Sequence, residues 1–96
     1  MKFIAGLLIA ASCHAGQMAS WYNPRVKGMV CASYEYPRGT RLKVTEVHNG
    51  SWVIVTVIER GPNRRLGRAV DLSRTAFLCL DGLELGLAEI TIERIK

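Results

Sequence analysis

One carboxylate in this chain could move protons, and a second could stabilise charge across from it. Asp71, in "GRAVDLSRTAF", lies between Ala69-Val70 and Leu72 at the edge of an expected helix, and Glu59 closes the apolar run "SWVIVTVIE". A carboxyl group that protonates a leaving oxygen must hold its proton near neutral pH, which exclusion of water favours. Apolar neighbours are one way to exclude water. The competing reading of Asp71 is structural: a cap on the helix, or a charge favoured by the helix N-terminus, although Ser73 already offers a cap. For Glu59 the rival is a surface pair with Arg60, of small energetic consequence.

Other chemistries have less to stand on. Ser20, Ser33 and Ser73 lack the G-x-S-x-G setting of a serine nucleophile. Of the 2 histidines, His48 sits in a turn without ligand spacing, so no metal is expected, and no cofactor is expected either. Arg60, Arg64, Arg65 and Arg68 form the densest basic stretch, which reads either as a solvated loop or as a clamp on carboxylates or phosphates.

The elements that must position these groups are short. Met18 to Tyr22 reads as a first strand, ended by Asn23-Pro24. "RLKVTEV", residues 41–47, alternates, with Leu42 and Val44 on one face and Arg41, Lys43 and Thr45 on the other. The Asn49-Gly50 pair then suits a type I′ hairpin turn into the next strand. Trp52 to Ile58 is apolar on both faces apart from Thr56, which predicts a strand buried on two sides, as in a small closed barrel, with Trp52 in the core or at the barrel rim. Ser73 caps a short helix from about Arg74 to Leu80, stopped by Asp81-Gly82. The alternating "AEITIERI" supplies the last strand. The expected fold is mainly β, with one or two short helices, closed as a barrel.

The chain has 96 residues and 3 cysteines. Its first residues, "MKFIAGLLIAASCHAGQ", follow the order of a secretory signal: a lysine, an apolar run from Phe3 to Ala11 too short to span a bilayer, then small residues. Residues 1–15 are therefore expected to be a cleaved signal peptide and residues 16–96 the folded domain. Ala10-Ala11-Ser12-Cys13 also approximates a lipobox, in which Cys13 would be lipidated and hold the chain on a membrane. The expected location is secreted or in the cell envelope. Either cut leaves about 80 residues, one small domain whose limited core would benefit from a covalent staple. Cys31 and Cys79 are then expected to pair, for roughly 4 kcal/mol in the chain-entropy picture; two buried free thiols are the alternative. The remaining 12 Lys and Arg against 8 acids suit anionic surroundings. Nucleic acid is not expected as a partner, because export is expected and no binding motif is present. A monomer is expected.

"ASWY" near the start, "YPRGTRLKVT" leading into "NGSWVIVTVIERGP", and "GRAVDLSRTAF" before the helix together resemble the bacterial rare lipoprotein A family. The resemblance runs from Ala19 to about Ile95, and expansins and barwin-like proteins share part of the pattern. It implies a six-stranded double-psi β-barrel and action on the glycan strands of peptidoglycan as a lytic transglycosylase, leaving 1,6-anhydro ends. The aspartate of the family's "DLS" segment, one of its catalytic carboxylates, matches Asp71, and a second acidic position falls on Glu59. Tyr22, Tyr34 and Tyr36 could stack on sugar faces, with Arg60 and Arg68 on anionic groups of the glycan.

One departure is plain. Family enzymes carry a T/M-A-S-G-E segment and a downstream Ala-Ala-His. Here "NPRVKGMVCASYEYPRGT" is shorter: Ser33 falls where the histidine would be, and nothing matches the glutamate, since Glu35 does not occupy that motif position. A non-catalytic polysaccharide-binding or wall-loosening module therefore stands as the alternative.

Overall fold

The alternation of residues 41–46 produces a strand with two unlike faces: Leu42, Val44 and Glu46 are buried, while Arg41 is exposed and Lys43 and Thr45 are half-buried. In the computed structural model, which describes residues 17–62 and 67–95, this strand is the third of six. They are β1 (Met18–Tyr22), β2 (Val30–Ser33), β3 (Arg41–Glu46), β4 (Trp52–Glu59), β5 (Val70–Ser73) and β6 (Leu87–Ile95). A single helix, α1 (Arg74–Leu78), and a 3-10 turn at Leu83–Leu85 stand between β5 and β6.

The strands close into a barrel in the order β1-β5-β2-β4-β3-β6. Two pairs are parallel, β1 with β5 and β2 with β4. The remaining neighbours are antiparallel. Closure leaves no open sheet edge among the described strands to template pairing with another chain. Inside lie Ala19, Cys31, Leu42, Val44, Val53, Val55, Val57, Val70, Leu72, Ala88 and Ile90. α1 plugs the interior with Ala76 and Phe77, both fully buried.

Ser73 caps α1 as its sequence position predicts: its backbone is extended and its Oγ accepts from Ala76 N at 3.3 Å. The helix ends at Leu78, two residues earlier than expected, and the chain tightens there as Leu80 N donates to Phe77 O at 2.8 Å.

Four local expectations are corrected. First, β4 is not buried on both faces. Val53, Val55 and Val57 point inward, whereas Ile54, Thr56 and Ile58 are half-buried and Trp52 is 55% exposed, with Lys43 Nζ 4.8 Å from its ring centroid. The outer face of β4 is apolar without being core. Second, the β3–β4 turn is not type I′, which needs two residues at positive φ. Only Gly50 adopts one there (φ 77). The buried Glu46 carboxylate organises the loop instead, accepting from His48 N at 2.6 Å and Asn49 N at 2.8 Å.

Third, Cys31 and Cys79 are free thiols. Strand alternation sends Cys31 into the barrel interior, where burial pushes its thiol up to about 12. Cys79 ends α1 on the exposed side and donates weakly to Thr75 O at 3.6 Å. Fourth, β2 and β5 are additional strands. At four residues each and mostly buried, neither shows a clear alternation of polar and apolar types.

Candidate functional site

Asp71 is a strand residue, not a helix cap. Val70 and Leu72 on either side of it are fully buried and point into the barrel. Alternation therefore turns Asp71 outward, so its sequence neighbours do not enclose the carboxylate. Its surroundings come from adjacent strands, and its side chain is only 17% exposed.

The pairing register lines up four residues across four neighbouring strands: Ser20 of β1 opposite Asp71 of β5, Asp71 opposite Ala32 of β2, and Ala32 opposite Glu59 of β4. Two strand spacings separate Asp71 from Glu59, about 10 Å between Cα atoms. The residue between them is a single methyl group. Gly61 packs over it, where an added Cβ would lie 3.6 Å from the Ala32 Cβ. The floor between the two carboxylates is thus built from small residues.

Glu59 reaches this outer face because β4 bulges. Cys31 pairs with Val57 but Ala32 pairs with Glu59, so Ile58 is an extra residue in the strand. Val57 points into the core, and strict alternation would send Glu59 there too. The bulge re-aims it.

Hydrogen bonds then fix each carboxylate. Ser20 Oγ donates to Asp71 Oδ1. Arg68 Nε lies 3.4 Å from the same oxygen, within ion-pair reach but without hydrogen-bond alignment, so this buried N–H has no protein acceptor among the described residues. Asp71 Oδ2 has no hydrogen-bond partner among the described residues.

Glu59 Oε2 accepts from Tyr22 OH at 3.0 Å. Burial, then the hydrogen bond and charge of Glu59, and to a lesser degree Cys31 and Asp71, push the Tyr22 phenol well above its ordinary value. Tyr22 therefore remains a donor, with both carboxylates near enough to act on it.

Three clefts follow one another along this face. One of about 310 Å³ is lined by residues that include Gln17, Tyr34, Glu35 and Arg68. The next, about 350 Å³, is bounded by Ser33, Tyr34, Tyr36, Arg38, Glu59 and Arg60 among others. The third, about 400 Å³, runs from Tyr22 to Ile58 and Glu59. Tyr34 is shared by the first pair and Glu59 by the second, so the three join as a trough. The Arg60 guanidinium stands 5.2 Å above the Tyr34 ring, which gives Arg60 an aromatic partner instead of the rival surface pair with Glu59.

Of the glycan-site residues expected from the sequence, Glu59, Tyr22, Tyr34, Tyr36, Arg60 and Arg68 line this trough; Asp71 is not in its wall and stands next to it through its ion pair with Arg68. Tyr36 also packs on the core, as does Trp21, whose Nε1 donates to Leu83 O at 3.0 Å. Cys13, Arg64 and Arg65 lie outside the described residues. Among the described residues no three His, Cys, Asp or Glu side chains converge as a metal set.

Sequence reasoning missed Ser20 as a partner of Asp71, and it missed Arg38. Spacing puts Ser20, two residues before Tyr22, on the same strand face, but carries no signal that this face meets Asp71. Ser33, which aligns with the family's histidine, is 1% exposed and accepts from Tyr36 N at 3.3 Å, which makes it a loop fastener.

No family model matches the chain. Over 103 aligned residues it is 31% identical to the probable endolytic peptidoglycan transglycosylase RlpA of Treponema pallidum, with 98% of this chain and 32% of that protein covered. To the protein of the same name from Nostoc sp. it is 40% identical over 72 residues, covering 75% of this chain and 19% of that protein. The chain thus spans about a third or less of these relatives. Among solved structures, a mutant Clavibacter michiganensis expansin in complex with cellohexaose superposes with a TM-score of 0.69 at 20% identity, over 83% of this chain and 49% of the expansin. At that identity the likeness is one of fold.

Proposed function

We propose that this chain, which carries an RlpA-like, expansin-related double-psi β-barrel domain, cleaves peptidoglycan glycan strands as a lytic transglycosylase, with Asp71 as general acid and base. The observation that supports this most is the register row Asp71–Ala32–Glu59, which sets two carboxylates on either side of a floor of small residues, Glu59 in the wall of the trough and Asp71 next to it through Arg68.

The chemistry asks little more. Asp71 Oδ2 donates a proton to the glycosidic oxygen, and the bond from that oxygen to C1 of the muramyl sugar breaks with its electron pair leaving on the oxygen. Positive charge develops at C1, where the Glu59 carboxylate, held by Tyr22, stabilises it. The 6-hydroxyl of the same sugar then bonds to C1 and returns its proton to Asp71. The products are a free hydroxyl on the departing strand and a 1,6-anhydro end. No water is consumed, so one carboxyl group serves as acid and then as base.

Tyr34 and Tyr36 supply ring faces along the trough, and Arg60 and Arg68 supply charge for anionic groups of the glycan. The setting proposed is the cell envelope, with residues 1–15 removed as a signal peptide, residues 16–96 forming the domain, and lipidation at Cys13 as the alternative to plain release. The test is mass spectrometry of purified glycan strands incubated with the protein. Anhydro-muramyl ends that vanish in Asp71→Asn are expected; intact strands after incubation with the unmutated protein would remove the enzymatic reading.

One observation favours a second reading, a binding or wall-loosening module. The family's glutamate segment has no counterpart here, and its histidine position is the buried Ser33. That reading expects sedimentation with insoluble wall polymer, weakened by Tyr34→Ala, without new anhydro ends.

A further inference from the structure

The trough does not stop at Tyr22. Beyond the cleft shared by Tyr22 and Glu59 lies another of about 460 Å³, joined to it through Asn23 and Pro24. Its wall carries two cations, Lys27 and Arg74, and no carboxylate. Every other cleft of the trough has an acid in its wall, Glu35 or Glu59.

The two cations are brought together by a specific link. After β1 the chain runs through Asn23-Pro24 and returns to β2 by way of Gly28, whose carbonyl accepts from Ser73 Oγ at 2.7 Å. Val30 N donates weakly to that same oxygen at 3.4 Å. Ser73 therefore pins the loop to the start of α1, and Lys27 and Arg74 are the immediate chain neighbours of the two pinned residues. Ser73 Oγ is fully engaged by Gly28, Val30 and Ala76. Any recognition here falls to the two charged side chains, with Asn23 and Thr75 as polar neighbours.

We propose that this end cleft is a subsite for a carboxylate carried by the glycan strand, one position beyond the sugar seated at Tyr22 and Glu59. The inference rests on the glycan reading above and deepens it. Arg74 offers a planar fork suited to a carboxylate and Lys27 a point charge. Both are exposed, so the attraction is modest per charge and weakens with salt.

The test measures binding of the full chain to glycan strands with free muramyl carboxyls and to the same strands with those carboxyls converted to methylamides. The unmutated protein is expected to prefer the free-carboxyl strands, and Lys27→Ala/Arg74→Ala to lose roughly tenfold in affinity for them while binding the amidated strands as before. Arg41→Ala/Arg94→Ala removes the same net charge from β3 and β6 and should keep the preference. Circular dichroism confirms that each variant is folded. If the Lys27/Arg74 variant retains the preference, or the control loses it equally, the subsite is overturned while the glycan reading stands. If the unmutated protein binds neither form of strand, the glycan reading itself fails and takes the subsite with it.

Discussion

Ser20 Oγ donates to Asp71 Oδ1, joining β1 to β5 at a cross-strand pair whose two side chains both face out of the barrel. Arg68 approaches the same oxygen, so Oδ1 is held while Oδ2 has no hydrogen-bond partner among the described residues. Removing the hydroxyl leaves the carboxylate in place but loosely aimed. In Ser20→Ala, formation of anhydro ends should fall by roughly tenfold to a hundredfold, the loss of a hydrogen bond to a charged group in the aligned state, and Ser20→Thr should restore most of it. An unchanged rate in Ser20→Ala would show that Arg68 alone positions Asp71.

Tyr22 holds Glu59 across the face of β5 and β2. Tyr22→Phe should lower stability by about 1 kcal/mol near neutral pH. The phenol is pushed up in the native state, chiefly by burial and then by Glu59, so the folded protein binds this proton more tightly than the unfolded chain does. Its contribution is fully present below about pH 10, the unfolded value, and is lost as pH rises beyond it. The stability difference between the unmutated protein and Tyr22→Phe, from denaturant titrations at several pH values, should be flat to about pH 9 and shrink above 10. A difference that grows with pH would contradict this.

The two thiols differ in reach. Cys31 is fully buried and Cys79 exposed, so a thiol reagent followed by peptide mapping should modify Cys79 in the native protein and Cys31 only on unfolding. The Cys31 thiol, raised by burial from 9.0 to about 12, adds a second alkaline signature. Between those values the unfolded chain ionises there and the folded one does not, so stability should fall with rising pH by up to about 1.4 kcal/mol per unit. Cys31→Ala should lack that component.

Phe77 is fully buried where α1 closes the barrel. Phe77→Ala should cost about 3–5 kcal/mol, a large share of what a small domain has. Thermal unfolding followed by circular dichroism measures it; a loss below 1 kcal/mol would mean that the helix does not seal the core.

Residue patterns alone reached much of this protein, because a side chain's face on a strand or helix follows from local geometry. Leu42 and Val44 against Lys43 and Thr45 defined β3, and Ser73 defined the start of α1; Asp71 was singled out by the family resemblance of its Asp-Leu-Ser stretch. β2 and β5 escaped because "VCAS" and "VDLS" are too short and too buried to alternate visibly. The expected Cys31–Cys79 bridge came from compartment and chain length, which say nothing about where two side chains point.

Only the closed barrel decided how the carboxylates are placed. β1 and β5 pair in parallel across some fifty intervening residues, and such long-range pairing leaves no local trace, so Ser20 could not be matched to Asp71 by spacing. Glu59 faces the trough because one extra residue in β4 overrides the alternation that would have buried it. Composition and periodicity set which residues could do chemistry; register and a single bulge set which of them meet.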